Sequence, residues 1–384
     1  MPTSAPRRSA SKAAGRRKKP GAGDEKHNPE TDGMSPLVRE CVRKMSAYTP
    51  GEQPSDLRAV KLNTNENPYP PSPAVMRALR EIGPDMLRRY PDPDCKRLCA
   101  RIAVLHRCRP EQVFIGNGSD EILALCSRAF VEDGGRIAYF DPSYSLYPVL
   151  ARIRNVKELA LKLGPDFVPP DTPRAAGAGL FFMTNPNAPT GILYPRARVA
   201  AFCRRFKGVV VIDEAYVDFA RESCMGLALK LKNAIVLRTL SKSYSLAGLR
   251  VGYAVGPRPL IAALNKIKDS YNVDRISQVL AEAAIGDQAW MRANARRIAA
   301  TRGRLARSLA GLGFLVCPSQ ANFLFVKPSA MKAEAIYRQL RARDILVRYF
   351  ARPLTRDFLR ISIGTDEQAG RLVKAIASIQ GKKT

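Results

Sequence analysis

A chain of 384 residues, 46% of them hydrophobic, is long enough to bury a sizeable core and too long for one ordinary small domain. This composition excludes wholesale disorder, and no apolar run approaches the ~20 residues that a membrane-spanning helix needs. The net charge of +29 favours anionic ligands, but the basic residues are scattered and no nucleic-acid-binding motif is present, so neither a specific nucleic acid nor a membrane is expected as a partner.

Residues 1–33 are expected to be a disordered basic tail. Arg7, Arg8, Lys12, Arg16, Arg17, Lys18 and Lys19 alternate there with small residues and proline, and nothing can bury a core. An Arg- and Ser-rich start has features of an organellar transit peptide, but Asp24, Glu25, Glu30 and Asp32 count against that reading. No apolar segment follows the basic stretch, as a secretory signal would require, so a cytoplasmic location is expected. The eight cysteines include no C-x-x-C pair and are expected to be reduced. With only His27 and His106 available, neither histidine catalysis nor a histidine metal site is expected, and no metal is assigned. The chemistry must use another base or a cofactor.

From Met34 onward, helix-like segments run over 73–82, 94–106 and 119–130. The strand-like Val113-Phe114-Ile115 precedes the third, through Gly116-Asn117-Gly118-Ser119-Asp120-Glu121. Glycines there allow close backbone approach, and a helix N-terminus offers free N–H groups to a phosphate, although Ser119 or Asp120 could simply cap the helix. A strand over 136–140 leads to Asp141-Pro142-Ser143-Tyr144, where Tyr144 could lie on a planar ring or be an ordinary half-buried tyrosine. A strand over 180–184 leads to the turn Asn185-Pro186-Asn187-Ala188-Pro189-Thr190-Gly191. The β-branched run of strand 208–213 ends on Asp213 and Glu214, with Tyr216 beyond. Open α/β sheets bind ligands at the carboxyl ends of their strands. A magnesium-binding acid would also suit that place, but no phosphate-binding lysine loop accompanies it.

A strand over 234–238 feeds Ser241-Lys242, and Arg250 follows eight residues later, before a strand over 250–255. A lone loop lysine is ordinarily solvated. An arginine at this spacing offers a bidentate anion grip beside it, and Ser241 adds a hydroxyl donor. Beyond 276 the pattern changes to helices over 277–285 and 288–310, strands over 314–316, 322–326 and 358–363, and a last helix over 366–380. Alternating strands and helices followed by this second pattern predict an α/β chain. A mostly parallel sheet covered by helices forms a large domain, and a smaller α+β domain follows.

Taken together, the five fragments resemble, in order, the motifs of fold-type I pyridoxal 5′-phosphate (PLP) transferases: glycine phosphate cup, stacking aromatic, N-P-x-x-P-T-G turn, D-x-x-Y pair, and S-K with its arginine. The chain is most similar to the histidinol-phosphate aminotransferase family, class-II-like enzymes of that fold. The carrying residues are Ser35–Arg39, Tyr48–Gly51, Leu62–Tyr69, Arg89–Asp92, Tyr271–Val273, Gln320–Phe323 and Leu359–Thr365. The resemblance implies that Lys242 carries PLP and moves the substrate proton. Asp213 pairs with the ring nitrogen, and Tyr216 bonds the ring 3′-oxygen. Gly118, Ser119, Asp120, Ser241 and Arg250 hold the phosphate, and Tyr144 stacks on the ring. It also implies that Tyr48, Asn322, Arg348 and Arg360 bind substrate, and that Asn67 and Tyr69 reach the active site of a second copy in a homodimer. The layout it implies is a segment 34–60 packing with the small domain, a large PLP-binding domain 61–275 and a small domain 276–384. The implied reaction is transamination between histidinol phosphate and 2-oxoglutarate, giving imidazole-acetol phosphate and glutamate in histidine biosynthesis. One departure stands out: the family's asparagine before P-T-G is Ala188 here, with Asn187 one place earlier as a candidate replacement.

Two alternatives remain at this level. A phenylalanine or tyrosine aminotransferase would share most of these motifs. A non-catalytic PLP- or nucleic-acid-binding protein is disfavoured by the intact Lys242, Asp213 and Arg250 set.

Overall fold

The computed structural model describes residues 34–54, 56, 58–170 and 175–381; the expected tail 1–33 lies outside them. Contacts divide the chain after Ser46. The described residues before that point hold one short helix, Glu40–Lys44. All other elements belong to the second unit. In chain order its strands are β1 (Val60–Lys61), β2 (Val113–Asn117), β3 (Arg136–Asp141), β4 (Lys157–Lys162), β5 (Leu180–Thr184), β6 (Val209–Asp213), β7 (Ala234–Thr239), β8 (Val251–Val255), β9 (Phe314–Val316), β10 (Phe323–Pro328), β11 (Ile345–Leu346), β12 (Arg348–Tyr349) and β13 (Leu359–Ser362).

Seven strands form a central sheet in the order β2-β8-β7-β6-β5-β3-β4. Its middle strands read Leu-Phe-Phe-Met-Thr, Val-Val-Val-Ile-Asp and Ala-Ile-Val-Leu-Arg-Thr and are buried almost throughout. Such continuous apolar runs suit a sheet covered on both faces, where alternation would leave polar groups in the core. The edge strand β4, Lys-Glu-Leu-Ala-Leu-Lys, carries its charges outward, which discourages pairing with a further strand. Strand β8 runs antiparallel to both neighbours, and the remaining pairings are parallel. The carboxyl ends of β2, β3, β5, β6 and β7 therefore meet the amino end of β8 along one edge.

A second, antiparallel sheet follows in the order β12-β13-β10-β9. The helices Gln288–Gly311 and Ala333–Arg341 pack with it, and Asp366–Ile379 packs against those two helices. Strand β1 pairs in parallel with β11, so the chain entering the central sheet is first tied to the segment leading into this second sheet. Among the described residues no helix is long and apolar enough to cross a membrane.

Behind the central sheet lies a polar cluster. His106 Nε2 is 2.9 Å from the Tyr253 hydroxyl, and Arg238 donates to Glu214 Oε2 through Nε and Nη2 at 3.0 and 2.9 Å. Burial and then the Arg238 charge push His106 down to about 3, so the folded chain keeps it neutral. Its unfolded counterpart titrates near the ordinary 6.5. As pH falls below about 6.5, the unfolded state takes up a proton that the folded state refuses, and stability is lost progressively toward about pH 3. For this half-buried ring we expect a loss of about 1–2 kcal/mol between pH 7 and 5. Urea unfolding should show that difference for the native chain and a flatter response for His106→Gln. An unchanged slope in the variant would remove the histidine from this role.

Candidate active site

The edge where the strand ends converge opens into a cavity of about 690 Å³. Lys242, beyond the end of β7, lines it, and its Nζ donates to the Thr64 carbonyl at 3.0 Å. Burial first, then the charges of Arg360 and Arg250, push this amine down to about 8. A lysine so tuned is still mostly charged at pH 7, but it keeps a far larger neutral fraction, able to act as base or nucleophile, than an ordinary lysine does.

Asp213 closes β6 on the same edge and is 4% exposed. The Tyr147 hydroxyl donates to its Oδ2 at 3.0 Å, and the Ala215 N–H donates to Oδ1 at 3.1 Å. Burial still raises its carboxyl to about 6. Among the described residues that carboxylate has no salt-bridge partner, and a protonated ring nitrogen would supply one. Tyr147, on the first turn of the helix Leu146–Ile153, is a site residue that sequence reading missed. Its only signal was a second tyrosine three residues after Tyr144.

The anion cup is assembled from three segments. The helix Gly118–Ala129 begins at the end of β2, and neither the Ser119 nor the Asp120 side chain caps it; the N-cap residue is Asn117. Gly118 has φ +78°, and a Cβ there would stand 2.6 Å from Arg250 Nη2. Glycine is thus needed both for the backbone and for the arginine's approach. A Cβ on Gly252 of β8 would likewise meet the Ser119 N–H nitrogen at 2.6 Å. Arg250 Nη1 donates to Ser241 Oγ at 3.2 Å, and Nη2 lies 3.6 Å from Asp120 Oδ2. The N–H groups of a helix start beside a guanidinium and a serine hydroxyl are an arrangement able to receive an anion such as phosphate.

Tyr144 lines the cavity, donates to Asp120 Oδ1 at 3.2 Å and meets Tyr48 edge-on at 5.9 Å. Tyr216 also lines the wall, with its ring edge-on to Phe323 at 5.0 Å. Arg360 enters from β13 and Arg348 from β12, directly opposite in register. Arg360 Nη2 donates to the Asn63 carbonyl at 2.8 Å, its guanidinium lies 5.4 Å from the Phe350 ring centre, and its Nε has no hydrogen-bond partner among the described residues. Arg348 uses Nη1 and Nη2 on the Pro50 and Thr49 carbonyls at 3.0 and 2.8 Å.

Asn187 and Asn322 sit outside the cavity lining, as do Asn67 and Tyr69, which were expected at the site of a second copy. Asn187 does not replace the missing asparagine: its Nδ2 turns inward to Pro142 O and Thr190 Oγ1, at 3.2 and 3.0 Å, and Ala188 and Pro189 form the cavity wall instead. Asn322 is fully buried behind the wall, donating to the Asn65 carbonyl at 2.9 Å, so it offers no surface to a substrate. Asn67 Nδ2 donates to the Ser243 carbonyl at 3.1 Å, and Tyr69 lies under the Arg297 guanidinium at 3.7 Å; neither lines this chain's cavity.

A helix-covered, mostly parallel sheet, with a lysine, a buried acid and an anion-accepting cup gathered at its strand ends, agrees with the fold class that the sequence resemblance implies. The profile of the class I and II aminotransferases matches residues 58–376, and the chain belongs to that family. It is 46% identical to histidinol-phosphate aminotransferase 1 of Bradyrhizobium diazoefficiens, over 90% of this chain and 100% of that protein. It is 43% identical to a histidinol-phosphate aminotransferase of Citrifermentans bemidjiense, over 89% and 98%. The crystal structure of the histidinol-phosphate aminotransferase of Sinorhizobium meliloti in complex with pyridoxal-5′-phosphate shares the fold with TM-score 0.80 at 24% identity, over 90% of this chain and 99% of that one. L-threonine-O-3-phosphate decarboxylase of Porphyromonas gingivalis does so with TM-score 0.75 at 21% identity, over 84% and 100%.

Proposed function

We propose that this chain is a PLP-dependent histidinol-phosphate transaminase that passes the amino group to 2-oxoglutarate. The observation that carries the reading is one cavity holding Lys242 and Asp213 at the strand ends and two arginines, Arg360 and Arg348, entering from the second sheet. The relatives' shared name selects the substrate.

PLP fits the residues present. Ser119, Asp120, Ser241 and Arg250 would hold its phosphate, Asp213 its ring nitrogen, Tyr216 its ring oxygen, and Tyr144 its face. When bound, it supplies an electron sink for the substrate's α-carbon. The chain does the rest. Lys242 Nζ, as the free amine, takes the proton from that α-carbon and, as ammonium, returns one. The Asp213 carboxylate stays ionised and anchored by Tyr147 and Ala215. Arg360, whose Nε is unpaired among the described residues, pairs with the anion that both donors carry, phosphate in one and carboxylate in the other. We assign a large domain 61–275, a small domain 276–384, and a homodimer in which Asn67 and Tyr69 serve the neighbouring copy. A fully active monomer in sedimentation at low concentration would overturn the shared site. Steady-state turnover of histidinol phosphate, phenylalanine and aspartate with 2-oxoglutarate tests the substrate. Histidinol phosphate should lead, and a preference for phenylalanine would move the chain to the aromatic class.

Ala188 gives a further expected outcome. Its methyl lines the wall where an asparagine amide would donate to the ring oxygen. Ala188→Asn should lower the pH midpoint of the bound cofactor's visible absorbance by about one unit if one net hydrogen bond of ~1 kcal/mol is regained. An unchanged or higher midpoint would show that the position does not face the ring.

A further inference from the structure

A buried carboxamide outside the expected machinery is bonded to the Tyr216 hydroxyl. Asn65 is 1% exposed, and its Nδ2 donates to Tyr216 Oη at 3.1 Å. The amide cannot turn over freely, because its Oδ1 accepts from Ser362 Oγ at 2.9 Å while its own N–H donates to that same hydroxyl oxygen at 2.8 Å. Asn322 Nδ2 holds the Asn65 carbonyl at 2.9 Å. The backbone of Asn65 is left-handed, φ 57°, a conformation that asparagine tolerates better than most residues. Asn65, Ser362 and Asn322 come from three separate segments, Ser362 at the end of β13 and Asn322 just before β10, and the last two hold Asn65 while its amide meets the phenol oxygen.

Because the amide spends its hydrogen on Tyr216 Oη, the tyrosine's own proton is left to point into the cavity. Because Oδ1 is engaged by Ser362, the amide is fixed in the donating orientation. We infer that Asn65 is a positioning residue that fixes Tyr216 as a hydrogen-bond donor to the cofactor and strengthens that donation, standing in from behind the phenol for the donor absent at Ala188. This rests on the PLP reading above.

The electrostatic setting agrees. Burial raises the Tyr216 phenol, and Arg360 and the Asn65 bond pull it back, while Asp213 and Tyr48 add to the rise. Around Lys242 the facing charges are Arg360, Glu66, Arg250 and Asp120. A better phenol donor stabilises negative charge on the ring oxygen and so eases loss of the neighbouring proton shared with the lysine nitrogen. Weakening the donor should raise the pH at which that proton leaves.

The test is a visible-absorbance titration of PLP-loaded protein. Asn65→Gly keeps the left-handed backbone accessible and deletes only the amide. It should raise the midpoint by roughly half a pH unit. Ser362→Ala, which frees the amide to rotate, should raise it less. In a Tyr216→Phe background the Asn65→Gly shift should vanish, because its only route runs through the phenol. A shift that persists in that background, or none in either single variant with PLP bound, would overturn the inference while leaving the cofactor reading intact. Failure of the native chain to develop any PLP absorbance would instead overturn the cofactor reading itself. A circular-dichroism melt of each variant identifies one that has not folded, and Ser362→Ala then carries the test alone.

Discussion

Lys242→Ala should abolish transamination while leaving the protein at least as stable. The loss follows from geometry. Lys242 is the cavity-lining amine that burial, Arg360 and Arg250 bring down to about 8. Removing a positioned proton carrier alone costs roughly 10²–10⁴ in rate, and here the covalent anchor for the cofactor disappears with it. The stability side follows from the same shift. A lysine whose folded pKa is depressed is charged at pH 7 in both states but held less favourably in the fold, and that penalty persists at every pH below about 8. Its hydrogen bond to the Thr64 carbonyl offsets only part of this. Alanine should therefore stabilise the cofactor-free protein by roughly 1–3 kcal/mol. Thermal melts without PLP, half-reactions with any amine, and borohydride reduction followed by peptide mapping test both halves. A different labelled lysine, or a variant that melts well below the native chain, would contradict the assignment.

Arg360→Ala should cost the second-largest effect and should strike both amino donors. Nη2 of its guanidinium is committed to the Asn63 carbonyl, and its buried Nε has no hydrogen-bond partner among the described residues. Burial and the neighbouring Arg348 charge already lower its proton affinity, and an incoming anion would relieve both. Leaving that anion unpaired in the cavity should cost about 2–5 kcal/mol in kcat/KM, or roughly 30- to several-thousand-fold, for histidinol phosphate and glutamate alike. Arg348→Ala should cost less, since both of its terminal nitrogens already serve the Thr49 and Pro50 carbonyls. Dephosphorylated histidinol should be a poor substrate of the native enzyme. Equal turnover of histidinol and histidinol phosphate would remove the phosphate from Arg360 and favour the aromatic reading.

Local pattern located most of the framework. The strands expected over 180–184 and 234–238 form as Leu180–Thr184 and Ala234–Thr239, because uninterrupted β-branched and aromatic runs have few other stable fates. Strand β4 escaped notice, since an exposed edge carrying lysines and a glutamate has no apolar run to mark it. The expected helix over 288–310 forms as Gln288–Gly311, where its N-cap Asp287 accepts from the Trp290 N–H.

By itself, then, the sequence determined what is short-range: the strand and helix periods, the lysine with its arginine eight residues on, and the acid ending a buried strand. Period and spacing are properties of neighbouring residues, and those are visible in the chain. Direction and company were decided only in three dimensions. Arg250 reaches the phosphate cup because β8 runs antiparallel and delivers its amino end to the edge where β7 delivers its carboxyl end. Asn187 and Ala188 are adjacent, yet one is buried in its own turn and the other faces the cavity. Asn65 meets Ser362, and Arg360 meets Asn63, across 297 positions of sequence each. Such contacts leave no periodic trace, because each depends on how two sheets pack after their strands have formed.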